Sequence, residues 1–315
     1  MAASATKMGA ARIGATAIGT GTNVLNQLAA VILPVLICAG LGFVWARMRR
    51  PFDHDFVTRI VSLVGTPCLV AHSLTSLHVD GAVLRSMAGA TALVFCCMFA
   101  IGIVVLRILR LPNHSYLPAV VFSNSGNMGL PLALFAFGDS GLALAVVYFA
   151  ISASLQFSLG ISIAAGTTNF SRLLKVPVLY AVLGSLIVLG TGIRLPLFVD
   201  NTLTILSGLT IPLMLLALGV SLADLRVTSL PRNLFLALVR LTGGFLVSLA
   251  VAWVLGLDAA PRGVLLIQAS MPVAVFNFLF AKQYQRQPAD VAAMVVISTL
   301  LSFISLPLLI YSILP

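Results

Sequence analysis

Long unbroken apolar runs constrain this chain more than any other feature of its sequence. Residues 28–46 and 88–105 carry scarcely a polar side chain. The hydrocarbon core of a bilayer is about 30 Å thick and is crossed by about 20 apolar residues of helix. In lipid every backbone N–H and C=O must find its partner inside the protein, which leaves only helices and closed barrels. Barrel strands alternate apolar and polar positions over about ten residues, and these runs do not alternate. The expected fold is therefore an all-α integral membrane protein. Composition agrees: 60% of residues are hydrophobic, 8% are charged and the mean hydropathy is +1.12, whereas a soluble domain has about 25% charged residues.

Charge, proline and glycine punctuate the runs into ten expected transmembrane helices, over residues 24–48, 55–77, 83–109, 116–137, 141–165, 177–191, 197–222, 233–255, 263–282 and 289–313. This divides the chain into a short tail (1–23), a first five-helix repeat (24–165), a cytoplasmic linker (166–176) and a second repeat (177–315). The loops after odd-numbered spans, with the adjoining span ends, hold twelve basic residues, from Arg47 and Arg49 to Lys282 and Arg286. The loops after even-numbered spans hold Arg85, Arg194 and Arg262. Cytoplasmic loops carry the excess of Lys and Arg, so the odd loops are placed inside and both termini in the periplasm. Lys7 and Arg12 in the tail pull the other way. The net charge of +10 thus reads as topology, with no nucleic-acid partner expected.

Paired prolines point to an internal repeat. Pro67 and Pro212 are 145 residues apart, and Pro131 and Pro272 are 141 apart. A unit with an odd number of spans, repeated in tandem, must come out inverted in the membrane, as in many carriers.

The chemistry is concentrated in two imperfect spans. Span four reads Phe122-Ser123-Asn124-Ser125-Gly126-Asn127-Met128-Gly129-Leu130-Pro131, too polar for a lipid-facing helix. Pro131 lacks an N–H and crowds the preceding turn, so the helix is expected to break there. Broken backbone at membrane depth is tolerated where protein buries it or where it lines a wet cavity. Span nine repeats the pattern in Gln268-Ala269-Ser270-Met271-Pro272, with Asn277 further on. If the breaks meet, each supplies a half-helix N-terminus with about half a positive charge and unpaired N–H donors, together an anion site. A plain proline kink in a packed helix is the competing reading.

These segments carry a family resemblance. Ser125-Gly126-Asn127-Met128-Gly129-Leu130-Pro131-Leu132 resembles the signature of the auxin efflux carrier family, which includes plant PIN proteins and bacterial malate and malonate permeases. Gln268-Ala269-Ser270-Met271-Pro272, then Phe280-Ala281-Lys282-Gln283-Tyr284 and Leu306-Pro307-Leu308, are similar to the family's C-terminal region, and Pro212 with Leu218-Gly219-Val220-Ser221-Leu222 is a third block. The resemblance implies two inverted five-helix repeats, with discontinuous helices 4 and 9 crossing at Pro131 and Pro272. It also implies an elevator-like movement of the crossover domain carrying organic anions. The short mid-chain linker resembles that of a bacterial member, and a homodimer is compatible with the resemblance.

The ionisable inventory narrows the mechanism. There is no glutamate, and the eight aspartates fall near span ends, so no buried carboxylate relay is expected. Two ionisable groups lie within spans as accessory candidates. His72 is either a titrating group or a packing residue, and Arg240 either snorkels to the interface or faces the substrate as its counter-ion. Cys38, Cys68, Cys96 and Cys97 lie in apolar runs without metal or disulfide spacing and read as core residues. No phosphate loop, carboxylate pair or zinc spacing occurs, so neither an enzyme nor a cofactor or metal is expected.

The sequence therefore reads as a secondary active or facilitative carrier of small organic anions in a bacterial inner membrane. Its expected substrate-binding residues are Ser123, Asn124, Ser125, Asn127, Gly129, Pro131, Gln268, Ser270, Pro272 and Asn277, and its partners are that anion and the lipid bilayer. The alternatives are a sodium-coupled symporter of the bile-acid carrier type and a non-transporting membrane sensor or channel on the same fold.

Overall fold

A computed structural model describes residues 20–75, 81–166, 177–191, 193, 195–224 and 229–313. The expected N-terminal tail and mid-chain linker lie largely outside the described residues. Among the described residues every regular element is helical, and the sole sheet-like feature is an isolated antiparallel bridge between Ser123 and Val273. The helices are α1 (Thr20–Arg47), α2 (His54–Ile60), α3 (Thr66–Thr75), α4 (Gly81–Ile108), α5 (Asn113–Val121), α6 (Leu130–Leu155) and α7 (Ile161–Ala165), followed by α8 (Pro177–Thr191), α9 (Leu197–Asp224), α10 (Leu230–Val254), α11 (Ala259–Ala269), α12 (Val275–Gln283) and α13 (Pro288–Ile313). Single π turns join α2 to α3 (Val61–Gly65), lead into α6 (Ser125–Gly129) and join α6 to α7 (Gln156–Gly160). Among the described residues, five helical runs are long and apolar enough to cross a membrane: Gly81–Ile108, Ser125–Ala165, Leu197–Ala223, Leu230–Val254 and Pro288–Ile313. Shorter apolar helices cover Leu33–Arg47, Val61–Thr75 and Pro177–Val188.

The run Ser125–Ala165 is not one rod. Gly138 has φ 66° and ψ −158°, a conformation open essentially to glycine alone. A Cβ on Gly141 would lie 2.7 Å from the Ala133 carbonyl oxygen, although eight residues of straight helix span about 12 Å. The chain therefore folds back at Gly138, where the sequence places the end of span four.

Pro131 does not break its helix where the sequence reading expected. Pro131 sits inside continuous helix, because the π turn before it absorbs the mismatch. The Leu130 N–H bonds the Ser125 carbonyl in an i→i+5 turn, so the carbonyl of Asn127, which Pro131 would crowd, is relieved of its usual place in the ladder. Pro67 follows a π turn in the same way, with the Thr66 N–H on the Val61 carbonyl. The actual interruption lies about two turns earlier than Pro131, at residues 122–124, where Phe122 is extended (φ −91°, ψ 115°). Pro272 does lie in its break, between the ends of α11 and α12.

Two packing groups emerge. In one, α1 lies along α9 in the most extensive helix pair, while α3 packs on α8 and α9. Small residues let the α1 and α9 backbones touch: a Cβ on Gly42 would run into the Leu216 carbonyl, and one on Gly219 into the Ala39 carbonyl. In the other group α10 packs on α4, α11 and α13, α4 on α5, and α11 on α6. One end of this second group is stapled by Asp290, whose carboxylate accepts from Tyr116 Oη (2.9 Å) and Asn233 Nδ2 (3.2 Å) and pairs with Arg232 Nη2 (2.6 Å). These residues join the first turns of α5, α10 and α13.

Candidate functional site

The two breaks meet. The Asn124 N–H donates to the Pro272 carbonyl (2.7 Å) and the Ala274 N–H donates to the Phe122 carbonyl (3.2 Å), so each break satisfies backbone groups of the other. Side chains complete the junction. Asn277 Nδ2 also donates to the Phe122 carbonyl (3.1 Å), and Gln156 Nε2 donates to Asn277 Oδ1 (3.0 Å). The Val273 N–H donates to Ser298 Oγ (3.0 Å), and Ser125 Oγ lies 3.3 Å from Ser152 Oγ. Ser152, Gln156 and Ser298 thus pack against the crossing.

A cavity of about 450 Å³ opens beside this junction. Its polar end is formed by Ser123, Asn124, Ser125, Asn127 and Gln156. Its apolar walls include Phe149, Phe157, Phe276 and Met214. It extends to the end of α12 at Gln283 and Tyr284, the start of α8 at Pro177 and the π turn at Val61 to Leu63. Among the described residues, none that lines it carries a charged side chain.

The cavity faces two helix beginnings. The helix containing the Ser125–Gly129 turn and α6 starts at Ser125, and α12 starts at Val275, both on the cavity wall. A helix N-terminus presents unpaired N–H groups and about half a positive charge. Asn124 is only 4% exposed and its Nδ2 has no hydrogen-bond partner among the described residues. An unpaired buried amide donor at the meeting of two positive helix ends is a place where an anionic oxygen would be stabilised.

The expected site residues divide in two. Ser123, Asn124, Ser125 and Asn127 line the cavity. Gly129, Pro131, Gln268, Ser270, Pro272 and Asn277 are buried away from it: Asn277 is committed to Phe122 and Gln156, and the Gln268 carboxamide fills the space that a Cβ on Gly129 would occupy. His72 does not line the cavity either. Its Nδ1 lies 4.0 Å from Asp200 Oδ1 at the start of α9. Arg240 is 1% exposed and so does not snorkel. It is absent from the cavity lining and donates instead to main-chain carbonyls of Val120, Val121 and Ala269. Gln156, which is not among the expected site residues, both lines the cavity and holds Asn277. Sequence reasoning also missed the aromatic wall, since Phe149, Phe157 and Phe276 look in sequence like ordinary lipid-facing residues.

Comparison with known proteins agrees with the motif resemblance. The chain matches the family described as Membrane transport protein over residues 28–169 and again over 161–310, one match to each half. It is 25% identical over 302 residues to an uncharacterized transporter of Methanocaldococcus jannaschii, covering 88% of this chain and 96% of that relative. It is 31% identical over 201 residues to an uncharacterized transporter of Methanothermobacter thermautotrophicus, covering 60% of this chain and 65% of that relative. With matches spanning nearly all of both halves, this multi-pass membrane protein belongs to the membrane transport protein family, the auxin efflux carrier family whose motifs its sequence resembles.

Proposed function

We propose that this protein is a secondary active or facilitative carrier that moves a small organic anion, bound by its carboxylate at the helix crossing, through alternating access. The observation that carries the reading is the Nδ2 of buried Asn124, unpartnered among the described residues and set where the helices beginning at Ser125 and Val275 aim their positive ends into a cavity whose described lining is uncharged. Two helix ends and a few amides stabilise one carboxylate without fixing it as a lysine would, which suits a ligand that must also leave. The apolar walls around Phe149, Phe157 and Phe276 suit a single-headed acid with an apolar body better than one with a second charge, which would lack a partner there.

In this reading the ten spans form two inverted five-helix repeats, and the crossed spans four and nine are the α5–α6 and α11–α12 breaks. The two family matches, one to each half, and the paired breaks support it. The α1–α3–α8–α9 group is then the stationary scaffold, and the group containing the crossing is the moving body. Both termini lie in the periplasm of a bacterial inner membrane. The cavity extends toward Gln283, Tyr284 and Pro177, beside the segments richest in Lys and Arg, so the conformation is inward-open.

Counterflow in proteoliposomes tests the proposal. Vesicles preloaded with malate, malonate, pyruvate, lactate or indole-3-acetate should accumulate the same labelled acid for at least one member of the series. Saturable binding without exchange for every acid would make the protein a sensor instead.

A further inference from the structure

Helices α5 and α11 stop at the crossing, and their last carbonyls have no helical partners. Such ends carry about half a negative charge each. In carriers built on broken helices, unwound carbonyls and helix C-termini of this kind hold the coupling cation. Here they hold a side chain. Arg240 Nη1 donates to the carbonyls of Val120 (3.1 Å) and Val121 (2.7 Å) at the end of α5, and Nη2 donates to the carbonyl of Ala269, the last residue of α11. No carboxylate among the described residues pairs with this guanidinium, so its charge is matched by the two helix ends.

The backbone of α10 is shaped for the contact. Gly244 lies one turn beyond Arg240 on the same face. A Cβ there would collide with the Ala269 carbonyl and would come within 2.6 Å of Arg240 Nη2. Glycine at 244 therefore lets α10 approach the end of α11 closely enough for the bridge to form.

We propose that Arg240 is a positioning residue that serves as a resident cation: its permanently charged guanidinium occupies the place between the two helix C-termini where a coupling cation would otherwise bind. It locks α5, α10 and α11 into one body. It also cancels the negative side of the crossing, so that the cavity feels the positive helix beginnings alone. The inference rests on the transport reading for its consequence in flux, and on the geometry alone for its consequence in cation binding.

The experiment therefore has two arms on the purified full-length chain. In the first, melting in detergent is compared between potassium, sodium and low-millimolar guanidinium chloride, far below denaturing concentration. The wild type should melt identically in sodium and potassium. Arg240→Ala should melt lower, and guanidinium should restore at least half of the deficit. Arg240→Lys, which keeps a charge but not the fork, should fall between the two. A sodium-dependent rise in the wild type, an Arg240→Ala deficit that guanidinium leaves untouched, or an Arg240→Lys no better than Arg240→Met would each overturn the proposal. If Arg240→Ala fails to fold, the ordering of the Lys and Met variants decides.

In the second arm, indole-3-acetate counterflow by the wild type should be the same in sodium and potassium. Arg240→Lys should retain the maximal rate within a few fold, with KM raised several fold. If no acid is exchanged by the wild type while guanidinium still rescues melting, the transport reading fails and the resident cation stands. If exchange is normal and guanidinium leaves the Arg240→Ala melting deficit untouched, the resident cation fails alone.

Discussion

The main-chain N–H of Asn124 donates to the carbonyl of Pro272 at 2.7 Å, joining two helix breaks from opposite halves of the chain. Because the bond uses the Asn124 backbone, its side chain is left over, buried and with its Nδ2 unpartnered. The residue thus holds the crossing together with one part and faces the cavity with another.

That division makes Asn124→Ala a clean probe. The variant should insert and melt like the wild type, since the bridge survives. Losing a hydrogen bond to an anion costs about 1.5–3 kcal/mol, so KM for the transported acid should rise roughly 10- to 100-fold. An unchanged KM in counterflow would remove Asn124 from the site. Asn127→Ala, from the neighbouring cavity wall, should abolish transport while leaving insertion intact.

Pro131→Ala restores the N–H that an α-helix would give to the Asn127 carbonyl. The π turn Ser125–Gly129 is then free to tighten, which rotates Ser125 and Asn127 relative to the cavity. Expression should be retained while the transport rate falls. A variant that transports at the wild-type rate would show that the π turn is not set by Pro131.

Gly129 and Gln268 should be coupled. A Cβ at 129 meets the Gln268 carboxamide, and overpacking of this kind costs about 1–3 kcal/mol, visible as a lower melting temperature for Gly129→Ala. Gln268→Ala removes the obstacle, so the double variant should melt above Gly129→Ala alone. Strict additivity in the cycle would mean that the two residues do not share this space.

Asp290→Asn should loosen the staple between α5, α10 and α13. The carboxylate accepts from Tyr116 and Asn233 and pairs with Arg232, whose side chain is 37% exposed. Solvent screening keeps the ion pair itself at the small end, but hydrogen bonds to a charged acceptor are worth about 1.5–3 kcal/mol each. Melting should drop for Asp290→Asn and less for Tyr116→Phe. Equal drops would place the stabilisation in the tyrosine alone.

The all-helical character of the chain was readable in the sequence because lipid imposes a one-dimensional rule on hydropathy, and two of the expected spans, 177–191 and 289–313, fall within a residue of α8 and α13. The break in span four was misplaced because proline is only one of its causes. The π turn accommodates Pro131, while the interruption at residues 122–124 is held open by Pro272, Ala274 and Asn277, some 150 residues away. The same distance hides Arg240. Nothing along α10 says that its charge will be met by main-chain carbonyls of two other helices. Ser123, Asn124, Ser125 and Asn127 were legible because polarity within a span is conspicuous, whereas an aromatic cavity wall uses the same residues that face lipid.

The bridge between Ser123 and Val273 also sets a timetable for biogenesis. Chains emerge from the ribosome at about 5–20 residues per second, so the first break waits roughly 8 to 30 s for the segment that will satisfy it. During that interval the Phe122 carbonyl and the Asn124 N–H lack their final partners. Unsatisfied backbone groups are costly in hydrocarbon, which places the half-made protein in a sheltered or hydrated environment until α11 and α12 arrive. A nascent chain arrested before residue 272 should therefore remain open to protease or to hydrogen exchange at this point, and should become protected only when the second half has been delivered.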